Sequence, residues 1–248
     1  AQEAQQLAAA RALSQETHFR LKKIRFLGRD THILCQNENG PCPLLAICNV
    51  LLLRNHISIH MDHPIVSESE LVQLVANRML ETNSPGPNTE PGMARSQQQA
   101  IDDGIAQLPK ISRGLDVNVK FDSVTGFEFT AELGVFDLCD IELRHGWVLD
   151  PQSEQAQYIG SKSYNELVEL LIESRSTSPP AAPAPASSDA AAASQRAGGG
   201  DTGAAASAVT AFMDETASQL THWGLVALHK HVRERELGVF FRNNHFST

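Results

Sequence analysis

Residues 43 to 54 read PLLAICNVLLLR, and only Asn49 and Arg54 among them are polar. They follow the turn-rich run Asn37-Glu38-Asn39-Gly40-Pro41, and a proline opens them. This pattern predicts a helix that begins at Pro43 and is buried nearly all round. Whatever fold the chain adopts must wrap that helix on every side. The residue at its cap is Cys42. Backbone N–H groups at a helix start lack intrahelical partners, and with the helix dipole they favour a negatively charged sulfur. Gln36 lies across the turn, where its amide can fold back as a donor to a developing oxyanion.

The rest of the composition narrows the function. The chain has 248 residues, 42% of them hydrophobic, although part of that share is alanine in a low-complexity stretch. A net charge of −9 argues against nucleic acid as a partner. No apolar run approaches the roughly 20 residues that span a bilayer, and no secretory leader is visible. The sequence starts at Ala1 without a methionine, so a longer natural N-terminus is expected. Cys35, Cys42, Cys48 and Cys139 form no metal-binding pair and no disulfide framework. Reduced thiols in a cytoplasmic or nuclear protein, with no metal or other cofactor, are the simplest expectation.

Hydrophobic periodicity places the remaining elements. Residues 1 to 17 read as a helical extension. A strand with a register irregularity covers 18 to 28. Ser67 and Glu70 form a capping box for a helix to Glu81, and residues 82 to 93, with three prolines and two glycines, form a loop. A helix is expected over 94 to 108. Strands are expected at 115 to 121, around Phe127-Glu128-Phe129 and over Gly146-Trp147-Val148-Leu149. Ser163 and Glu166 cap a helix to about residue 174. Residues 176 to 207, almost wholly Ala, Pro, Ser and Gly, read as a disordered insertion. Residues 208 to 235 return to helix, interrupted near Gly224, and Leu237, Val239 and Phe241 alternate into a last strand.

A thiol nucleophile needs a base. His245 follows the last strand in a polar Asn-Asn-His turn. A cysteine on a helix start followed by a histidine after a strand is the chain order of papain-like enzymes. His145, with Asp150 at the end of the same segment, is the alternative base, in a transglutaminase-like acyl transferase. Cys48 and Cys139 sit inside apolar runs and read as core. His32, His56, His60 and His63 read as surface or loop residues, and Trp147 and Tyr164 by themselves as core aromatics.

The segment QNENGPCPLLAI, residues 36 to 47, resembles the start of the catalytic domain of the MINDY family of deubiquitinases. VFFRNNHFST, residues 239 to 248, resembles that family's histidine run, and GLDVNV (114–119), VFDL (135–138), HGW (145–147) and DPQ (150–152) are similar as well. The resemblance covers residues 18 to 248 as one domain. It implies an α+β, papain-like cysteine peptidase fold, the nucleophile at the N-terminus of a buried helix and the histidine after a sheet strand. It implies hydrolysis of isopeptide bonds in polyubiquitin, with a preference for lysine-48-linked chains trimmed from the distal end. Cys42 would be the nucleophile, His245 the general base and Gln36 part of the oxyanion hole. Asp116, Val117, Trp147, Tyr164 and Phe241 would contact ubiquitin. The family's domain continues past its histidine run, so a sheet partner beyond Thr248 is expected for the last strand. A polyubiquitin-binding module without catalysis is the competing reading.

Overall fold

The apolar run does become a buried helix, α1 (Cys42–Leu53), one residue longer at its start than expected. Nine of its twelve side chains are buried. The computed structural model describes residues 16–37, 40–177 and 200–248. Most of the expected N-terminal extension and residues 178–199 of the expected insertion lie outside the described residues. The described residues fall into two compact units. The first holds those up to Asp116 with Phe129–Arg144 and Arg233–Thr248, and the second holds those of Val117–Glu128 and His145–Val232.

In the first unit, β1 (His18–Phe26) and β2 (Arg29–Cys35) form an antiparallel hairpin, paired without a break from Phe26 opposite Arg29 to Arg20 opposite Cys35. Leu27 and Gly28 close it, both in the left-handed region with φ 49° and 80°. The expected register irregularity is absent. Phe19 and Leu21 point to one face and Ile24 and Phe26 to the other, so the apolar side of the strand changes without a bulge. β3 (Ile65–Ser67) pairs antiparallel with the other edge of β1, giving the order β2-β1-β3. Ser67 caps α2 (Glu68–Asn83), its Oγ accepting from the Glu70 N–H at 3.2 Å. α3 (Pro91–Ile111) is longer than expected at both ends and carries Pro109 in its last turn. α4 (Gly134–Leu138) is a short turn of helix. Leu44, Ile47, Leu51, Leu71, Met79, Ile101, Leu108 and Phe136 are fully buried, or nearly so, in this unit's core.

The second sheet has the order β4-β5-β6, with β4 (Leu143–His145), β5 (Val239–Arg242) and β6 (His245–Ser247). Asn243 and Asn244 connect β5 to β6, with φ 50° and 59°. Two consecutive left-handed residues make the two-residue hairpin turn, and asparagine tolerates that conformation better than most side chains. β5 has a neighbour on each side among the described residues, β4 and β6, with Phe241 facing Phe246 across the hairpin.

In the second unit the expected strands at 115–121, 127–129 and 146–149 do not form. Residues 117–128 fold back on themselves with single bridges, Val119 to Phe127 and Lys120 to Ser163. The turn at Gly126 is so tight that a Cβ there would meet the Lys120 carbonyl at 2.8 Å, and no regular ladder develops. After α5 (Ala156–Ile159), the Ser163 and Glu166 capping box is complete. The Ser163 N–H donates to Glu166 Oε2 at 2.7 Å and the Glu166 N–H to Ser163 Oγ at 3.4 Å. It opens α6 (Tyr164–Thr177), which packs on α7 (Gly200–Glu215). Residues 176 and 177 are therefore helical, and residues 200–207, expected to be disordered, begin another helix. Alanine is the best helix former, and the same composition that marks low complexity supports α7 once it has a neighbour.

α8 (His222–His231) begins at a Thr221 cap whose Oγ1 accepts from the Gly224 N–H at 2.9 Å. The interruption near Gly224 is thus a new helix start. The Thr221 N–H donates to the Gly146 carbonyl at 3.0 Å, and its hydroxyl donates to the Val148 carbonyl at 2.6 Å. Gly224 lies so close to Gly146 that any Cβ would collide with the Gly146 carbonyl. Gly224→Ala is expected to lower stability by about 1–3 kcal/mol, an overpacking cost. Chemical denaturation of the two proteins measures it, and an unchanged midpoint would refute the close approach.

Candidate active site

Cys42 is the first helical residue of α1, with Pro41 at the cap (φ −72°, ψ 81°) and Pro43 next in the helix. No side chain caps this helix start. The first intrahelical bond runs from the Leu45 N–H to the Pro41 carbonyl at 3.2 Å. Among the described residues, the loop before it is held by three bonds. The Gly40 N–H donates to the Asn37 carbonyl at 3.1 Å. Gln36 Nε2 donates to the Gly40 carbonyl at 3.0 Å, and Asn37 Nδ2 donates to the His18 carbonyl at 2.8 Å. The loop before Cys42 is therefore tied both to itself and to β1.

Cys42 and Gln36 line one groove of about 420 Å³. Its floor is a single stripe of α1, Cys42, Leu45, Ala46, Asn49 and Leu53, at the spacing of one helix face. Ile24, Phe26, Ile33 and Leu34 from the β1–β2 hairpin, Phe246 and Ser247 from β6 and Thr248 just after it complete it. Asn49, the one polar residue inside α1, joins helix to hairpin. Its Oδ1 accepts from the Leu34 N–H at 2.7 Å and its Nδ2 donates to the Leu34 carbonyl at 3.3 Å. The side chain thus takes the place of a neighbouring strand on β2. At the far end of α1, Arg29 Nη2 donates to the Leu52 and Leu53 carbonyls, each at 3.0 Å, where a helix leaves acceptors unpaired and favours a cation. Asn49→Ala strands both polar groups of Leu34. It is expected to cost about 1–3 kcal/mol in unfolding free energy, measured by denaturant titration. A loss below a few tenths would mean that the clamp is replaceable.

The four thiols divide as the sequence implies. Cys48 and Cys139 are buried and Cys35 and Cys42 half-buried. Burial pushes the Cys48 thiol far up and the Cys139 thiol up to about 12, so both stay protonated and inert.

The candidate bases are placed very differently. His245 opens β6, and β6 packs against α1, but its ring is exposed and the groove wall is made by the three residues that follow it. His145 is 1% exposed. Its Nε2 pairs with the Gly126 carbonyl at 3.0 Å, and its Nδ1 accepts from the Trp147 N–H at 3.1 Å. With both nitrogens engaged it serves as a rigid cross-link within the second unit. Burial, opposed by the Gly126 carbonyl, pushes its pKa down to about 4. His32, read as a surface or loop residue, is also buried, with no hydrogen-bond partner for Nε2 among the described residues.

A folded pKa below the unfolded value of about 6.5 means that only the unfolded chain takes up this proton between pH 6.5 and 4. The associated stability is complete above that window and is lost as pH falls through it. The loss is on the order of 3 kcal/mol for this shift. His145→Gln is expected to flatten that part of the stability profile, as read by melting temperatures from pH 7 to 4. An unchanged slope would refute the assignment.

The five expected ubiquitin-contact residues are not presented alike. In the first unit Asp116 is exposed, whereas Phe241 is 5% exposed and tilts against Phe246 with ring centres 5.0 Å apart. In the second unit Val117 is half-buried, Tyr164 is 40% exposed and Trp147 only 5%. Trp147 and Phe241, expected to contact ubiquitin, thus offer little surface of their own. The partners of the indole, Phe212 and Thr216, were not identifiable from sequence. They lie just past the low-complexity stretch, and only the return of large side chains after residue 208 marks them.

The described residues thus make a mixed α/β protein with a half-buried thiol at a helix start, on a groove shared with a glutamine amide. A MINDY deubiquitinase family profile matches residues 17–248. Human ubiquitin carboxyl-terminal hydrolase MINDY-1 is 40% identical over 229 residues, covering 92% of this chain and 44% of that protein. The zebrafish (Danio rerio) protein of the same name is 41% identical over 232 residues, 93% of this chain and 40% of that protein. Bovine ubiquitin carboxyl-terminal hydrolase MINDY-2 is 40% identical over 250 residues, 100% of this chain and 36% of that protein. The chain belongs to the MINDY deubiquitinase family, and it spans less than half the length of these curated relatives.

Proposed function

We propose that this chain carries the catalytic machinery of a cysteine-dependent, papain-like deubiquitinase. The observation that supports this most is Cys42 in the first turn of α1, on one groove with Gln36, in a chain about 40% identical to ubiquitin carboxyl-terminal hydrolases. In this reading the Cys42 thiolate attacks the carbonyl carbon of ubiquitin's C-terminal glycine. The second N–H of the Gln36 amide and a backbone N–H of the helix start stabilise the oxyanion. His245 gives its proton to the leaving lysine amine, and water, deprotonated by the same imidazole, then cleaves the thioester. Asp116, Val117, Trp147, Tyr164 and Phe241 contribute to ubiquitin binding. The substrates are polyubiquitin chains of the lysine-48 linkage, trimmed from the distal end, in the cytoplasm or nucleus.

One observation favours the second reading, a ubiquitin-binding module without turnover. The Gln36 amide is engaged with the Gly40 carbonyl, and the His245 ring lies outside the groove wall. A ubiquitin derivative with a C-terminal electrophile separates the two. Covalent capture by the wild type and none by Cys42→Ala supports the enzyme, and binding without capture supports the module. With lysine-48-linked chains, Cys42→Ala is expected to abolish cleavage and keep binding. Gln36→Ala is expected to lower kcat by about a hundred- to a thousandfold, and His245→Ala to be far more damaging than His145→Gln. Cleavage by Cys42→Ala would remove the nucleophile assignment, and equal losses at the two histidines would remove the base.

A further inference from the structure

Trp147 is buried in a cage of aromatic and polar contacts inside the second unit. Phe121 meets it edge-on at 5.0 Å, with the planes at 84°. Phe212 stacks on it at 6.2 Å, with the planes at 14°. Tyr164, the exposed member of the group, rests against it at 5.8 Å and 49°. The indole Nε1–H donates to Thr216 Oγ1 at 2.7 Å. The Thr216 hydroxyl has one hydrogen, and it goes to the Phe212 carbonyl one helical turn earlier, at 2.5 Å. An oxygen lone pair is thereby fixed toward the indole, and the rotation of Trp147 is set by α7 and not by its own segment. A tyrosine 40% exposed on such a support is pre-organised, and rigid aromatic anchors of this kind dominate recognition surfaces.

We propose that Thr216 and Phe212 are positioning residues for substrate recognition, which fix Trp147 and through it the pose of Tyr164 against ubiquitin. This rests on the reading of Tyr164 and Trp147 as part of the ubiquitin-binding surface. Trp147 acts from behind, and Tyr164 makes the contact. The helix that follows the Ala/Pro/Ser/Gly stretch thereby sets affinity, while the thiol chemistry is carried by residues of the other unit.

The test uses the whole chain, monoubiquitin and lysine-48-linked chains. Thr216→Val keeps the volume of the side chain but leaves the indole N–H unpaired. It is expected to weaken ubiquitin binding and raise KM by roughly two- to tenfold, the worth of one such hydrogen bond, with kcat and the alkylation rate of Cys42 unchanged. Thr216→Ser, which keeps the hydroxyl, is expected to restore both values. In a Tyr164→Ala background, Thr216→Val is expected to add no further loss, because the two changes act on one contact. The indole N–H resonance of Trp147 is expected to move in Thr216→Val, with that of Trp223 as internal control. Unchanged affinity despite a shifted indole signal overturns the proposal. So does a full additional loss in the Tyr164→Ala background, or a failure of Thr216→Ser to restore binding. A wild type that does not bind ubiquitin overturns the functional reading together with this one. A wild type that binds, with Thr216→Val equal to it, overturns the positioning role alone.

Discussion

A twelve-residue helix with nine buried side chains has no solvent face to orient it. Burying six of its leucine, isoleucine and valine side chains contributes on the order of 10 kcal/mol, comparable with the whole net stability of a domain. Apolar contacts are non-directional, however, and would tolerate many rotations of the helix about its axis. Direction comes from polar contacts on α1, above all Asn49 against Leu34 and Arg29 against the Leu52 and Leu53 carbonyls. Both tie it to β2, at its middle and at its end, so its rotation and its axial position are fixed together. The location of the Cys42 sulfur follows from that pair of contacts. Every other feature of the groove is arranged around a helix already held in register.

What the sequence reveals here follows from how local each signal is. The buried helix, both helix caps at Ser67 and Ser163 and the alternation of the last strand depend on neighbours within a few residues, and all are readable without coordinates. The strands expected at 115–121 and 146–149 show the limit. Alternation of apolar residues marks a half-buried extended chain, but ladder formation needs a partner at the right distance. Here the extended segments are pinned one bond at a time, by the Val124 and Phe121 carbonyls and by Thr221. The alanine-rich residues of α7 misled for the opposite reason. Their composition lacks large side chains, yet Val209 and Phe212 bury enough to dock the helix.

The candidate site was legible in its parts and less so in its geometry. Cys42 and Gln36 meet on one groove because the turn between them is short and internally bonded. His245 depends on contacts that no local pattern encodes. Its strand packs against α1, while the alternation within β6 buries Phe246 and turns the histidine outward. Trp147 and Phe241, both marked by motifs, are buried, Trp147 against the exposed ring of Tyr164 and Phe241 against Phe246. The buried polar residues were the least visible. Nothing in the sequence separates His145, whose two nitrogens are both used, from a histidine free to move protons.

The pairing of α1 with β6 has a consequence for how the chain is made. Thr248 Oγ1 donates to the Ala46 carbonyl at 3.1 Å, between residues 202 positions apart, and Arg54 donates to the Leu237 carbonyl across 183 positions. At synthesis rates of about 5–20 residues per second, α1 emerges from the ribosome some ten seconds or more before the strand that covers one of its sides. Until then one side of an almost wholly apolar segment lacks its cover, with a thiol at its tip. Contacts between such distant positions carry a loop-closure cost that local contacts do not, and they form late. The nascent chain therefore passes through an interval in which an apolar side of α1 and the Cys42 thiol are uncovered together. The groove closes over both only when the last residues described here arrive.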